Sequence, residues 1–230
     1  MSTFASQIIN FNRNLNFTGK LPAGIRIMNP FRENPEALSV SEKFYRKFYS
    51  DNKKRRFIIG INPGRFGAGV TGVPFTDPKR LKEKCGIELK GVQTHEPSSV
   101  FVYRMIDAYG GPEKFYKDFY INAICPLGFT APGKKGEVNY NYYDRPDLQK
   151  AVLPFILDCM KKQLRFGLET ETAYCLGTGK NFKFVQALNK DHKFFGRIIP
   201  LEHPRFVIQY RLKRMDEYVE KYLAAFKSSN

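Results

Sequence analysis

The sequence predicts an α/β fold with three layers, in which helices cover both faces of a central, mostly parallel, four-stranded sheet. Two observations lead to this prediction. Short apolar segments alternate with longer segments whose apolar residues recur at the spacing of one helix face. Short strands separated by helices form parallel sheets that are buried on both faces. Because 230 residues suit one domain, we expect residues 1–230 to form a single domain.

The amino-terminal part of the chain is expected to be mainly helical. Residues 7–17 have the pattern of a short helix, and residues 35–49 that of a longer helix with Asn34 as its N-cap. Between them, residues 22–31 indicate an extended segment with a turn at Asn29. The regular alternation of strands and helices begins after these segments.

The alternating part of the chain predicts the sheet and the place of a ligand site. Strands are expected at residues 56–61, 118–125, 172–176 and 195–200. Helices are expected at residues 98–109 with Ser98 or Ser99 as the cap, at 147–166, from 180 to about 189, and at 211–226. Ligands of such folds bind beyond the carboxyl ends of the strands. At or just after these ends, the sequence places Asn62, Asn122, Gly177 and His203.

The charge of the chain indicates a polyanionic partner. Lys and Arg number 38 against 22 Asp and Glu, a net charge of +16, and such a surplus attracts nucleic acid through its phosphates. A membrane surface is disfavoured, because we find no long basic amphipathic helix and no apolar stretch long enough to cross a bilayer. The first 16 residues carry no secretory signal. The four cysteines form no C-x-x-C pair, so no metal site and a reducing intracellular compartment are expected.

The run Gly60-Ile-Asn-Pro-Gly-Arg-Phe-Gly67, which continues to Thr71-Gly-Val-Pro-Phe75, carries the strongest functional signal. Its position after a strand suits a phosphate loop. However, it lacks the Gly-Lys-Ser/Thr ending of a P-loop, and its glycines do not fit G-x-G-x-x-G. Taken alone, the run is an ordinary strand-to-loop turn.

Together with two later segments, this run resembles the uracil-DNA glycosylase superfamily. The later segments are Tyr120-Ile-Asn-Ala-Ile-Cys-Pro-Leu127 and Leu201-Glu-His-Pro-Arg205. The similarity is greatest to the single-strand-selective monofunctional (SMUG) branch, whose first motif is G-M-N-P-G-P-F-G followed by T-G-V-P-F. The resemblance extends from about residue 15 to the last helix. It implies a DNA-repair enzyme that flips a base out of DNA and hydrolyses its N-glycosidic bond.

The resemblance also implies roles for the site residues. Asn62 matches the residue that positions the attacking water, and His203 matches the histidine that hydrogen-bonds uracil O2 as negative charge develops there. Asn122 would accept a hydrogen bond from uracil N3–H and donate one to O4, a pattern that cytosine reverses. Phe75 would stack on the base. The remaining base-pocket residues would be Ile61, Gly64 and Phe66.

Contacts to the DNA backbone are expected from residues around these motifs and from the start of the helix at residue 180. Backbone N–H groups at a helix start can hold a phosphate. The candidates are Pro63, Arg65, Thr178, Gly179, Lys180, Arg205, Phe206 and Arg211.

The sequence departs from the family pattern at three places. The histidine motif, usually H-P-S-P-R, is two residues shorter here, which leaves Arg205 or Phe206 as the wedge that fills the gap in the DNA. Arg65 replaces a proline of the family motif, and Ala68 replaces a methionine near the C5 side of the base. The preferred lesion, including C5-substituted uracils and other deaminated bases, is therefore open, and we expect modest turnover.

The sequence thus predicts a monofunctional uracil-DNA glycosylase that needs neither cofactor nor metal. Its expected partner is uracil-containing DNA, and the chain is expected to be a monomer. It is expected in the cytoplasm, with the nucleoid in a bacterium, or in the nucleus of a eukaryote. Two alternatives remain open: a catalytically weak module that binds damaged or single-stranded DNA, and a nucleotide-binding α/β enzyme that uses the glycine-rich loop.

Overall fold

The computed structural model describes residues 2–227 and contains two sheets surrounded by helices. The helices are α1 (Phe4–Arg13), α2 (Pro30–Glu33), α3 (Pro35–Phe48), α4 (Ala68–Thr71), α5 (Pro78–Cys85), α6 (Pro97–Tyr109), α7 (Pro112–Asp118), α8 (Pro146–Leu164), α9 (Lys180–His192), α10 (Pro204–Tyr210) and α11 (Met215–Lys227), with a 3-10 turn at Leu212–Arg214. The strands are β1 (Arg26–Met28), β2 (Arg55–Gly60), β3 (Phe119–Ala123), β4 (Gly128–Gly133), β5 (Gly136–Tyr140), β6 (Leu168–Leu176) and β7 (Arg197–Leu201).

The larger sheet confirms the predicted fold class. Its four strands run in the order β3-β2-β6-β7, and every neighbouring pair is parallel. Each residue of β2 is buried, as expected for a strand in the middle of a covered sheet. All four strands therefore end at the same edge.

Helices cover both faces of this sheet, as alternate side chains of β3 demonstrate. Successive residues of a strand point to opposite faces. The ring of Phe119 lies 4.5 Å from that of Phe226 in α11. The ring of Tyr120 lies 5.5 Å from that of Phe4 in α1. The aromatic residues thus form the core on both sides of the sheet and compensate for the absence of tryptophan.

A second sheet was not predicted from the sequence. Strands β1, β4 and β5 form it in the order β1-β4-β5, with both pairs antiparallel. Met28 of β1 pairs with Gly128, and β5 returns beside β4 as far as Tyr140. This sheet brings the end of β5 next to the loop that follows β2, as the hydrogen bonds of Asn62 demonstrate below.

Several predicted boundaries are wrong. Only part of the segment 22–31 is a strand, because Asn29 caps a helix that begins at Pro30. The first helix begins at residue 4 and ends at residue 13. The predicted helix at 211–226 begins only at residue 215, because a separate helix and a 3-10 turn precede it.

The predicted caps had mixed outcomes. The Asn34 side chain accepts hydrogen bonds from two backbone N–H groups of α3, as expected of an N-cap. Neither Ser98 nor Ser99 caps α6, because the helix begins at Pro97 and Glu96 is its N-cap residue. The Ser99 hydroxyl instead contacts Asp77 Oδ2 at 2.9 Å. Within residues 2–227, no helix combines the length and apolar character needed to cross a membrane.

Candidate active site

A cleft of about 640 Å³ opens at the edge where the four parallel strands end. The residues that the sequence places at the ends of the strands, Asn62, Asn122, Gly177 and His203, all line it. Four distant segments of the chain therefore meet in one cavity, which is where an α/β fold of this kind binds its ligands.

Most of the other predicted site residues also line the cleft. These are Ile61, Pro63, Gly64, Phe66, Phe75, Gly179, Lys180, Arg205 and Phe206. Arg65, Thr178 and Arg211 are not among its lining residues. The guanidinium of Arg65 lies over the Phe66 ring at 4.5 Å, and that of Arg211 lies over the Phe206 ring at 5.3 Å. Both arginines thus belong to the rim of the cleft.

Phe75 has an unusual backbone conformation beside His203. Its φ is +53°, in the left-handed region that bulky residues rarely adopt. The Phe75 ring lies close to Gly60, where an added Cβ would come within 3.5 Å of it, and its centroid is 5.9 Å from the His203 ring. Backbone strain of this kind persists only where the surrounding structure enforces it, and it is concentrated at functional sites.

His203 is held as a neutral hydrogen-bond donor. It is the N-cap residue of α10, and its Nδ1 accepts from the Arg205 backbone N–H at 3.1 Å. Desolvation, with a smaller contribution from the charge of Arg205, lowers the pKa of His203 to about 4. Because Nδ1 is an acceptor, the proton of the neutral ring resides on Nε2, which is left to donate to a ligand.

The Asn62 amide is fixed by the end of β5 and the residues that follow it. Its Nδ2 donates to the Tyr140 carbonyl at 3.1 Å, and its Oδ1 accepts from the Tyr142 N–H at 3.1 Å. A carbonyl oxygen has two lone pairs, so one remains free on Oδ1. Asn62 can therefore hold a water in a defined direction without acting as a strong base.

Asn122 is buried, and its amide orientation corrects one expectation. Nδ2 donates to Tyr120 Oη at 2.7 Å and to Gln163 Oε1 at 2.8 Å, while Oδ1 accepts from the Ala123 N–H at 2.8 Å. Because both amide hydrogens are engaged, the expected donation to uracil O4 is wrong for this arrangement. One lone pair of Oδ1 remains, so Asn122 is presented as an acceptor.

Glu96 is a cleft residue that the sequence interpretation missed. It lines the cavity beside the first motif, where a Cβ on Gly67 would come within 1.7 Å of its Oε2. Oε2 is inaccessible and has no hydrogen-bond partner among residues 2–227. Desolvation and the neighbouring charge of Asp77 raise the pKa of Glu96 to about 7, against an opposing effect of Arg205. A single Glu before a helical segment carries no sequence signal that would predict a place in the cleft or a raised pKa.

The cleft also receives residues from the unpredicted hairpin and from α10. Asn139, Asn141 and Tyr143 line it after the β4–β5 turn, and Asn139 Oδ1 accepts from the Arg65 N–H at 3.1 Å. Tyr210 lies at its rim and is 59% exposed. An exposed aromatic ring at the mouth of a cleft is a surface on which a ligand can stack.

The residues that the structure describes offer no cluster of His, Cys, Asp and Glu suited to a metal ion. The four cysteines are buried and unpaired. Burial raises the pKa of Cys125 and Cys175 to about 12, so both thiols are protonated and unreactive at neutral pH. The polar groups that line the cleft include side-chain amides, the imidazoles of His95 and His203, and the carboxyl group of Glu96.

Comparisons with known proteins agree with this fold. A crystal structure described as wild-type Pedobacter heparinus SMUG2 superposes with a TM-score of 0.98 at 55% identity, over 100% of this chain and 99% of that chain. Single-strand selective monofunctional uracil DNA glycosylases of Mus musculus and Rattus norvegicus are 26% and 27% identical over 136 residues. That match covers 50% of this chain and 48% of each relative, so it spans about half the length of these curated relatives. The profile described as the Uracil DNA glycosylase superfamily matches residues 46–227, and the chain belongs to this superfamily.

Proposed function

We propose that the protein is a monofunctional uracil-DNA glycosylase that extrudes uracil from DNA into the cleft and hydrolyses its bond to the sugar. The proposal is carried by one observation: Asn62, Asn122 and His203, which lie far apart in the sequence, line a single cavity. The SMUG2 structure and the curated glycosylases support it further.

The reaction breaks the bond between sugar C1′ and uracil N1. The bonding electrons leave with the base, so positive charge develops on the sugar and negative charge spreads to uracil O2. The Nε2–H of a neutral His203 would donate to O2 and stabilise that charge, as the donors of an oxyanion hole do. A neutral donor suits this task, because the pKa of about 4 keeps the ring unprotonated at physiological pH.

Water completes the reaction: its oxygen adds to C1′, and the proton that it gives up passes through solvent to the departing uracil anion. The free lone pair of Asn62 Oδ1 would orient this water. An amide is a poor base, so orientation is useful only if departure of the base is well advanced before the water attacks. The products are free uracil and an abasic sugar.

Recognition of the base would combine stacking with one directional hydrogen bond. Phe75 would stack on the uracil ring. Asn122 Oδ1 would accept from uracil N3–H, a bond that cytosine cannot make because its N3 is itself an acceptor. Specificity for uracil over cytosine would therefore depend on how firmly the Asn122 amide is held.

Binding of the DNA would use the positive charge around the cleft. Lys180 and Arg205 are exposed on its lining, and α9 begins at Lys180 with Gly179 as its N-cap, so backbone N–H groups are available to a phosphate. Phe206, 37% exposed at the start of α10, is the wedge that we favour. We further infer that the protein acts as a monomer. It would act in the compartment that holds DNA, the bacterial nucleoid or the eukaryotic nucleus.

The test is release of uracil from a single-stranded oligonucleotide by the wild type, Asn62→Ala and His203→Ala under single-turnover conditions. Each variant should lose about 100-fold or more in rate. Matched controls are Asn16→Ala and His192→Ala, which alter exposed residues outside the cleft and should retain the wild-type rate. Binding of the oligonucleotide without base release by the wild type would instead favour the catalytically weak DNA-binding module.

A further inference from the structure

Gln163 contacts Asn122, the asparagine proposed to read the base, from within the core. It belongs to α8 and is completely buried. Its Oε1 accepts from Asn122 Nδ2 at 2.8 Å and from Tyr120 Oη at 3.3 Å. Tyr120 Oη accepts the other amide hydrogen of Asn122 at 2.7 Å. The three side chains therefore form a closed, buried network.

The network allows only one orientation of the Asn122 amide. The Ala123 backbone N–H is always a donor and lies 2.8 Å from Asn122 Oδ1, so a reversed amide would bring donor against donor. Reversing Gln163 instead would place its NH2 group against that of Asn122. Both reversals are unfavourable, because a buried donor without an acceptor loses its hydrogen bond to water without replacement.

The network retains this orientation at a cost. Gln163 Nε2 is inaccessible and has no hydrogen-bond partner in the part of the chain that the structure describes. Buried polar groups are normally paired, and an unpaired one calls for an explanation. Here the Gln163 NH2 group is unpaired because the Gln163 Oε1 faces Asn122. The arrangement thus favours a fixed asparagine over a fully satisfied glutamine.

We propose that Gln163 is a positioning residue for substrate selection: it holds the Asn122 amide so that only the Oδ1 lone pair faces the base, which selects uracil over cytosine. This inference rests on the proposed glycosylase function. Gln163 itself does not line the cleft and acts through Asn122. With the Gln163 acceptor removed, only the Ala123 N–H and Tyr120 Oη still oppose a reversed Asn122 amide, so its NH2 is offered to the N3 of cytosine more often.

The test compares binding of two non-cleavable oligonucleotides, which carry 2′-fluoro-2′-deoxyuridine or 2′-fluoro-2′-deoxycytidine at the same position. The measured quantity is the ratio of the two dissociation constants. Gln163→Met keeps the length of the side chain and removes the acceptor, so the preference for uracil should fall about tenfold. Gln163→Glu keeps an oxygen acceptor at this position and should restore the preference to within about threefold of the wild type.

Two further variants separate positioning from packing. Met160→Leu alters another buried residue of α8 and should leave the uracil preference unchanged. Tyr120→Phe removes the second acceptor and should lower the preference in the same direction as Gln163→Met. If Gln163→Met does not fold, Tyr120→Phe and Gln163→Glu decide the question, with melting curves recorded for each protein.

The outcomes distinguish this inference from the proposed function. A wild type that neither releases uracil nor prefers the uracil analogue contradicts the function itself. A wild type that does both, with an unchanged preference in Gln163→Met and Tyr120→Phe, overturns only the role of Gln163. An equal loss in Met160→Leu would also overturn it, since the effect would then be one of general packing.

Discussion

Replacing Glu96 by Gln should change the stability of the protein in a way that depends on pH. The pKa of Glu96 is raised from 4.5 to about 7, first by desolvation and then by the charge of Asp77. Between pH 4.5 and about 7, Glu96 therefore keeps its proton in the folded protein and loses it in the unfolded chain. The free energy of unfolding consequently falls as the pH rises from about 4.5 to about 7.

The size of the effect follows from the pKa. A pKa shift of one unit corresponds to about 1.4 kcal/mol, so the rise in the pKa of Glu96 from 4.5 to about 7 amounts to about 3 kcal/mol. Gln cannot ionise, so Glu96→Gln should be more stable than the wild type by about 3 kcal/mol at pH 8 and by less than about 1 kcal/mol at pH 5. His203, with its lowered pKa, has the opposite pH dependence, but it is present in both proteins and cancels in the difference.

The assay is urea unfolding of both proteins at pH 5 and pH 8, followed by circular dichroism. Glu220→Gln, a change at an exposed position, serves as the control and should alter the stability by less than about 0.5 kcal/mol at either pH. An equal difference in stability between Glu96→Gln and the wild type at the two pH values would exclude a raised pKa for Glu96. It would mean that the carboxyl group is ionised at pH 5 or is solvated in the folded protein.

Three further predictions concern the cleft. Gly67→Ala should lower the stability by about 1 kcal/mol or less, because the new Cβ would lie 1.7 Å from Glu96 Oε2 but the end of that side chain can shift, and the loss should shrink in a Glu96→Ala background when melting temperatures are compared. Lys180→Ala should weaken binding of single-stranded DNA and reduce the slope of log K against log salt by about 0.7, whereas an unchanged slope would exclude a phosphate contact. In a Glu96→Gln background, the rate of uracil release should be constant from pH 5.5 to 8, because the pKa of about 4 keeps His203 neutral throughout, and a fall in rate below pH 6.5 would contradict that assignment.

The sequence predicts the parallel sheet well because its strands are continuous apolar runs. Strand β6 is an instructive exception, since it begins at Leu168, four residues before the predicted start. Its first half contains Glu169 and Glu171, which lie away from the core and carry no apolar signal. The β4–β5 hairpin was missed for a similar reason, because β5 is largely exposed and lacks the alternation that marks a half-buried strand.

The motif residues Asn62, Asn122 and His203 line one cleft, as the sequence predicts, because they lie at the ends of strands that share one edge. The sequence cannot give the orientation of those side chains. The Asn122 amide is set by Gln163, 41 positions along the chain, and by Tyr120. The carboxyl group of Glu96 likewise packs against Gly67, which lies 29 positions earlier in the chain. Such roles arise from tertiary contacts and leave no local pattern.

The proposed function requires Asn62, Asn122 and His203 to act together on one extruded uracil. A crystal structure of the protein with an oligonucleotide containing 2′-fluoro-2′-deoxyuridine tests it most directly. We expect the uracil ring inside the cleft against Phe75, with O2 within hydrogen-bond distance of His203 Nε2 and N3 within hydrogen-bond distance of Asn122 Oδ1. A base that stays stacked in the DNA, or that lies in the cleft with N3 away from Asn122, would exclude this mode of recognition.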